Sequence, residues 1–341
     1  MSVQDSRGLT PAGWGGTLGR SERALARYRP ARMGLDARQP VVVLAGGTGG
    51  AKLARGMLDV VGDDLVVIAN TGDDVEIYGA YVAPDPDLCT FWLADRIDER
   101  GWGLDGDTFA VMDGLRELGV EVWFNLGDRD LAVGVRRAER LAAGDRLTET
   151  LAELGRAYGL RARVVPMSDA PVRTNVRSGD RWMPFQEFMV RERAQPPIDG
   201  VRYDGIDAAA PPPEALDAIA CARTIVIGPS NPIISIRPIL AVPGLADALR
   251  ASPAPVIAVS PFVRGAVVKG PTEPFLSWAG VPPTAAGVAR YYGDLLDGLV
   301  SDEDTDDAGL PVHTTDTFMN DAAARARVAG EVLAFAQEVA A

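Results

Sequence analysis

The sequence predicts a doubly wound α/β fold: a Rossmann-like, mainly parallel sheet with helices on both faces. Three observations carry that expectation. Apolar, β-branched runs of four or five residues recur along the chain, as expected of strands buried on both faces. Amphipathic helical stretches separate them. The first run ends in five residues of which four are glycine, Gly46-Gly47-Thr48-Gly49-Gly50, the signature of a tight strand-to-helix turn.

Taken in order, Val41 to Ala45 is the first strand, apolar on both faces. The glycine loop follows, and Ala51 to Val60 reads as a helix. Leu65 to Ala69 is the second strand, feeding the polar loop Asn70-Thr71-Gly72-Asp73-Asp74. Asp107 to Leu118, Leu131 to Ala143 and Thr148 to Tyr158 have helical patterns, with Thr148 placed to serve as an N-cap. Ala162 to Pro166 is a short strand. Val172 to Arg193 has the pattern of a β-hairpin around Ser178-Gly179-Asp180, so residues 167–212 are expected as an insertion outside the main sheet. The parallel pattern resumes with Thr224 to Ile227, feeding Gly228-Pro229-Ser230-Asn231-Pro232, and with Pro255 to Val259. Asp321 to Val339 is a closing amphipathic helix, and the acidic run 301–307 reads as a solvated loop. Residues 1–38, rich in Gly, Arg, Ser and Pro, read as a flexible leader, and Met33 is a second possible start. The rest, 39–341, reads as one domain.

Composition excludes several function classes. The chain has 341 residues, 47% hydrophobic, with a net charge of −13. That charge argues against nucleic-acid binding, which needs a positive field. Any anionic ligand must be held by backbone amides, a few Arg and Lys, or a metal ion. Two cysteines, Cys89 and Cys221, rule out a disulfide framework or a Cys-rich zinc site, and both read as buried small residues. With one histidine, His313, a multi-histidine metal site is impossible. No apolar run reaches the roughly 18 residues of a membrane span, and no signal-peptide pattern is present, so the expected location is the cytoplasm.

The polar loops follow strands, and in an open α/β sheet ligands bind outside the carboxyl ends of strands. The glycine loop gives Gly47-x-Gly49-x-x-Lys52, which suits phosphate contact at a helix N-terminus but lacks the third glycine of the dinucleotide fingerprint and the Lys-Ser/Thr of a P-loop. The pair Asp73-Asp74 suits Mg²⁺, which takes one or two carboxylates plus waters and substrate phosphates; a solvated turn is the alternative. Pro84-Asp85-Pro86-Asp87 reads as a turn or as a polar cluster of the site. In Leu126-Gly127-Asp128-Arg129-Asp130 the arginine either staples two aspartates or holds an anion. Ser230 and Asn231, bracketed by prolines, offer a rigid hydroxyl and amide to a base or phosphate, or form a plain turn.

In combination and in this order, these motifs are specific. Together with Arg-Gly-Trp-Gly at 100–103, Asp-Thr-Phe at 107–109, Pro-Met-Ser-Asp at 166–169, Phe-Gln-Glu at 185–187, Gly-Pro-Ser-Asn-Pro-Ile-Ile-Ser-Ile at 228–236 and Val-Ser-Pro at 259–261, they resemble the 2-phospho-L-lactate transferase family of coenzyme F-420 biosynthesis. Its actinobacterial members are phosphoenolpyruvate transferases. The resemblance spans about residues 40–340. It implies a homodimeric, Mg²⁺-dependent enzyme that transfers a lactyl or enolpyruvyl phosphate from a guanosine-diphosphate-activated donor to the ribityl hydroxyl of the deazaflavin Fo, releasing GMP. It further implies Asp73 and Asp74 for Mg²⁺ and activation of the hydroxyl, and Asp87 for Fo, with Asn125 at a second Fo position. Gly46, Gly47, Thr48, Gly49 and Gly50 would lie under the diphosphate, and Ser230 and Asn231 would hold the nucleotide. Lys52 and Arg129 are the candidate charge neutralisers. Asn125 stands where some relatives have a basic residue, and Pro-Asp-Pro-Asp-Leu replaces the family's usual Pro-Asp-Leu-Asp-Thr.

Two other readings compete. A nucleotide-sugar-binding regulator of the gluconeogenesis-factor type shares the glycine loop and an Asp pair, but that pair is followed by Gly-Gly-Ser-Ser-Gly rather than Val75-Glu76-Ile77-Tyr78-Gly79. An NAD(P)-dependent dehydrogenase needs an acidic residue at the end of the second strand, where Asn70 stands.

Overall fold

The computed structural model describes residues 39–341 apart from residue 306; the expected leader lies outside the described residues. Strands β1 (Val41–Ala45) and β2 (Leu65–Ala69) flank helix α1 (Gly47–Val61). A small antiparallel hairpin, β3 (Val75–Ile77) and β4 (Ala80–Val82), leads to α2 (Pro84–Leu93). Three helices follow: α3 (Ala110–Glu117), α4 (Asp128–Ala142) and α5 (Leu147–Ala157). After β5 (Arg163–Pro166), the chain leaves the main sheet for β6 (Arg173–Ser178), β7 (Arg181–Pro184) and β8 (Gly200–Asp204). It returns through α6 (Pro213–Ala220) to β9 (Thr224–Ile227).

A π-helical turn, Pro232–Ile236, runs into α7 (Arg237–Ala241) and α8 (Leu245–Ala251). Strand β10 (Val256–Val259), the two-residue pair β11 (Phe262–Val263) and β12 (Ala266–Val267), α9 (Thr272–Trp278) and α10 (Ala285–Tyr292) come next. Strands β13 (Gly298–Ser301) and β14 (Val312–Thr314) and helix α11 (Ala322–Val339) close the chain.

The main sheet has seven strands, ordered β14-β13-β10-β9-β1-β2-β5. Every pairing in it is parallel. The chain winds outward from β1 in one direction through β2 and β5, and in the other through β9 to β14. The order therefore reverses between β1 and β9, and the loops after those two strands flank the crevice where such folds bind ligands. Alternate residues of β1 serve opposite cores: Val42 and Leu44 pack under α6 to α10, and Val41, Val43 and Ala45 under α1, α2 and α11.

Several elements differ from the sequence expectation. The hairpin of the insertion gains a third strand, β8, on the far side of β6. Pro84-Asp85-Pro86-Asp87 is the first turn of α2: proline is tolerated there because those N–H groups have no helical partner, and Asp85 and Asp87 complement the helix dipole. The glycines from Gly47 onward are already helical. Thr148 does not cap α5. It lies inside the helix, and its amide and hydroxyl both donate to Asp169 at 2.8 and 2.7 Å, so a distant carboxylate supplies the cap. Cys221 is exposed, unlike buried Cys89. Among the described residues no single helix is long and apolar enough to cross a membrane.

Candidate active site

At the crevice the two switch-point loops lock together. The Ser230 hydroxyl donates to the Gly46 carbonyl at 2.6 Å and accepts from the Gly46 amide at 3.3 Å. A Cβ on Gly49 would sit 2.2 Å from the Pro229 carbonyl oxygen, and one on Gly50 would sit 2.6 Å from Ser230 Oγ. These glycines serve close packing between the loops. Gly47 differs: its φ is +61° and a Cβ there would meet nothing within 4 Å, so it bounds open space. Thr48 and Gly49 are half-buried in the same first turn. The Asn231 side-chain oxygen caps the following turn by accepting from Ile233 and Ile234, leaving its Nδ2 buried without a partner.

Into this cradle comes Asp85, a residue absent from the expected site. Its Oδ1 accepts from the Gly47 amide at 2.6 Å and its Oδ2 from the Asn70 side chain at 2.8 Å. Asn70, fully buried, also accepts from the Gly72 amide, so one side chain fixes both the Asp73 loop and Asp85. Burial pushes the Asp85 carboxyl up to about 6, although the Asn70 and Gly47 donors pull it back. Burial also drives Asp73 well above the ordinary range, and the neighbouring Asp85 charge drives it further. Asp73 Oδ1 is buried and unpartnered.

Asp74 takes a different direction from its neighbour. Its Oδ2 accepts from the Tyr81 hydroxyl at 3.0 Å, while its Oδ1 is buried without a partner. Burial raises it to about 8 despite the pull of Arg173 and Arg137. Arg173 comes from the insertion: it stacks 5.3 Å from the Tyr81 ring centre and donates to that hydroxyl at 3.3 Å. The Thr174 amide donates to the Gly72 carbonyl at 2.7 Å, so β6 is stitched to the acidic loop.

Asp87 is buried and gripped by both terminal nitrogens of Arg137, from α4; Arg137 also donates to the Tyr81 carbonyl at 3.0 Å. Burial lifts Asp87, and Arg137 opposes the lift. Asp130, about two helical turns before Arg137 on α4, is raised to about 7 by burial and then by the Asp87 charge.

Beside these carboxylates opens a cleft of about 210 Å³. Asp85, Asp87, Asn125 and Asp130 are among its polar lining, with Arg100, Asp107 and Gln186, and Phe91, Trp102, Phe109 and Phe124 form its aromatic walls. Asn125 is exposed at the rim and accepts from Arg116 at 2.7 Å. Arg129 does not line the cleft. It is exposed, with its guanidinium on the Asp105 carbonyl, and its flanking aspartates do not staple it. Asp128 instead accepts from the Ala110 and Val111 amides at the start of α3, and Asp107 accepts from the Arg129 and Asp130 amides at the start of α4. Lys52 lies further along α1, its amine 5.8 Å from the Trp92 ring centre.

A divalent cation fits this donor set. Among the described residues no cluster of three or more carboxylate, histidine or cysteine ligands is preformed. Mg²⁺ asks only for one or two carboxylates, completing its shell with waters and substrate phosphates. The unpartnered Asp73 oxygen beside Asp85 provides them, and a cation there would offset the burial that raises both and the Asp85 charge that raises Asp73 further.

The family model for 2-phospho-L-lactate transferase CofD matches residues 41–317. The chain belongs to this family. It is 41% identical to a phosphoenolpyruvate transferase of Kitasatospora aureofaciens, over 88% of this chain and 98% of that one. It is 37% identical to a 2-phospho-L-lactate transferase of Methanosarcina mazei, over 77% and 87%. A solved structure of a UPF0052 family protein from Bacillus halodurans has the same fold, with a TM-score of 0.58 at 17% identity, covering 88% of this chain and all of that one. The transferase family member is thus an enzyme of the phosphotransferase kind, and its doubly wound sheet is that of its structural neighbour. The acid-pair loop, Asp87 and Asn125 were named in the sequence analysis; Asn70, Tyr81, Asp85, Arg137 and Arg173 were not singled out. Asp85 carried a signal, since acidic residues beside a helix-starting proline mark a first turn.

Proposed function

We propose that this transferase moves a phospho-acid unit, 2-phospho-L-lactyl or enolpyruvyl phosphate, from a guanosine-diphosphate-linked donor to the ribityl hydroxyl of the deazaflavin Fo, with GMP leaving. One observation carries the reading: the acidic cradle at the N-terminus of α1 adjoins a cleft walled by aromatic rings. A flat heteroaromatic acceptor suits such walls, and a diphosphate suits a helix N-terminus with a cation beside it. The names of the relatives supply the transferred acids.

In this reading Asp73 and Asp85 hold Mg²⁺, which when bound neutralises phosphate charge. Asp85 rather than Asp74 is the second ligand because Asp74 is turned to Tyr81. Asp74, with one oxygen unpartnered and a carboxyl raised to about 8, takes the proton of the attacking hydroxyl; general bases work best near the operating pH. Asp87 and Asn125 orient Fo. The first turn of α1, from Gly46 to Gly50, meets the diphosphate. Ser230 clamps that turn and Asn231 presents its free Nδ2 to the nucleotide. Positioning and charge neutralisation are what phosphoryl transfer chiefly requires of a protein, so the scarcity of histidine is no obstacle. A cytoplasmic homodimer belongs to the same reading.

The test supplies Fo, Mg²⁺, GTP and each phospho-acid with a guanylyltransferase, and reads products by mass. A deazaflavin phosphodiester that requires this chain supports the proposal. Unchanged Fo with every acid rejects it.

A further inference from the structure

The aromatic cleft carries a polar group that the proposed chemistry leaves unused. Gln186, from the insertion, lines it. The residue is buried, 9% exposed, yet among the described residues its side-chain amide has no hydrogen-bond partner. Buried amides are nearly always paired, so one left open at a cavity wall marks a place for water or a ligand. The backbone holds the group there. Gln186 stands immediately before the π-helical turn Glu187–Arg191, a form of helix found chiefly at functional sites. Phe185 and Phe188, on either side, are buried with their rings 6.2 and 5.9 Å from the Phe275 ring, and Glu187 is paired with Arg181 and Arg191. With its neighbours fixed, the Gln186 side chain loses little freedom when a ligand engages it.

The other polar side chains of the cleft offer less. Asp85, Asp87 and Asp107 already accept, respectively from Gly47 and Asn70, from Arg137, and from the amides that open α4. Arg100 can only donate and is bonded to Asp98 at 2.7 Å. Asn125 is exposed at the rim and uses its oxygen on Arg116. Asp130 can donate only when protonated. Among these side chains, Gln186 is the one that presents a free donor and a free acceptor side by side at any pH. Set among aromatic rings, such a pair complements a flat ligand whose rim carries an N–H next to a carbonyl.

We infer that Gln186 is a specificity-determining residue, whose carboxamide forms two hydrogen bonds with an imide or lactam edge of the acceptor ring. Its Oε1 accepts from the ring N–H and its Nε2 donates to the adjacent carbonyl. The pyrimidinedione of a deazaflavin has such an edge; that this is the ring bound rests on the function proposed above. The contact acts on binding rather than on chemistry, because the edge belongs to the ring and the attacking hydroxyl to the ribityl chain. A site built to hydrogen-bond a ligand group rejects an analogue that lacks it, since the buried partner is then left open.

The experiment measures binding of Fo and of its N3-methyl derivative by deazaflavin fluorescence, in the full chain and in Gln186→Met and Gln186→Leu. Methylation removes the N–H of the imide. The wild type is expected to prefer Fo by about ten-fold or more, and both variants to bind Fo about ten-fold more weakly and to lose that preference. In the coupled transfer assay, KM for Fo should rise in the variants while kcat holds, as for a contact made equally in ground and transition states. A wild type that binds the two ligands alike, or a preference that survives in the variants, overturns the inference. Should one variant fail to fold, the other decides by the same criterion, and the wild-type comparison needs neither. A preference that depends on Gln186, in a chain that transfers nothing to Fo, keeps the inference and removes the transferase reading. Transfer to Fo with the preference undiminished in the variants does the reverse. A wild type that binds no Fo removes both.

Discussion

At the residue scale, the site is a set of buried carboxylates with unequal partners. Asp87 is neutralised by Arg137, which among the described residues has no other buried carboxylate within bonding distance. Removing the cation leaves an uncompensated buried charge. Arg137→Met is therefore expected to cost about 3–5 kcal/mol, read by urea denaturation, and Asp87→Asn in the same chain should recover part of it. A loss below 1 kcal/mol would show the pair to be energetically idle. Asp73 and Asp74 should separate by assay. Asp73→Asn is expected to abolish turnover and also the stabilisation by Mg²⁺, whereas Asp74→Asn should abolish turnover alone, with Mg²⁺-dependent stabilisation retained. Identical behaviour of the two variants would refute the division of roles. The sequence drew attention to both carboxylates because two adjacent aspartates after a strand are unusual. Their division was not legible there, since it depends on Tyr81 and Arg173, which arrive from other elements.

At the scale of elements, the glycine run shows that one composition serves two purposes. Gly49 is pressed against the Pro229 carbonyl and Gly47 faces open space with a left-handed backbone. Gly47→Ala should cost about 1–2 kcal/mol for the backbone alone. Gly49→Ala should cost more, because backbone atoms rather than a flexible side chain stand in the way, and should shift the β9 loop. Thermal unfolding of both variants checks the order, and a reversed order contradicts the packing described. The sequence placed this turn after the right strand but started the helix four residues late, since glycines look like loop. The same bias took Pro84-Asp85-Pro86-Asp87 for a turn or polar cluster. In the fold, those prolines occupy the one helical turn that tolerates them.

At the scale of the molecule, Asp73, Asp74 and Asp85 are all raised, so the folded state holds protons more tightly than the unfolded chain. The contribution of these three groups to stability without metal is then greatest below the unfolded carboxylate range near pH 4 and is lost as pH rises, through about 6 for Asp85 and about 8 for Asp74. Mg²⁺ binds the ionised forms, so its stabilising effect should grow over the same window. Melting temperatures measured with and without Mg²⁺ at pH 5.5 and 8 check this: the Mg²⁺ increment should be larger at pH 8. An increment independent of pH would exclude the carboxylate cradle as the metal's seat.

The sequence by itself determined the strand set near β1, the doubly wound class and the acidic and glycine loops, because side-chain periodicity and turn chemistry are local and legible over a few residues. Strands β13 and β14 were not read: both are short, and β14, at the edge of the sheet, is only partly buried. Only the tertiary structure decided which polar groups face one another. Asp85 reaches Gly47 across 38 positions, Asp87 reaches Arg137 across 50, and Ser230 reaches Gly46 across 184. Such contacts exist because parallel strands deliver distant loops to one edge of the sheet, and the spacing between those loops along the chain carries no record of the meeting.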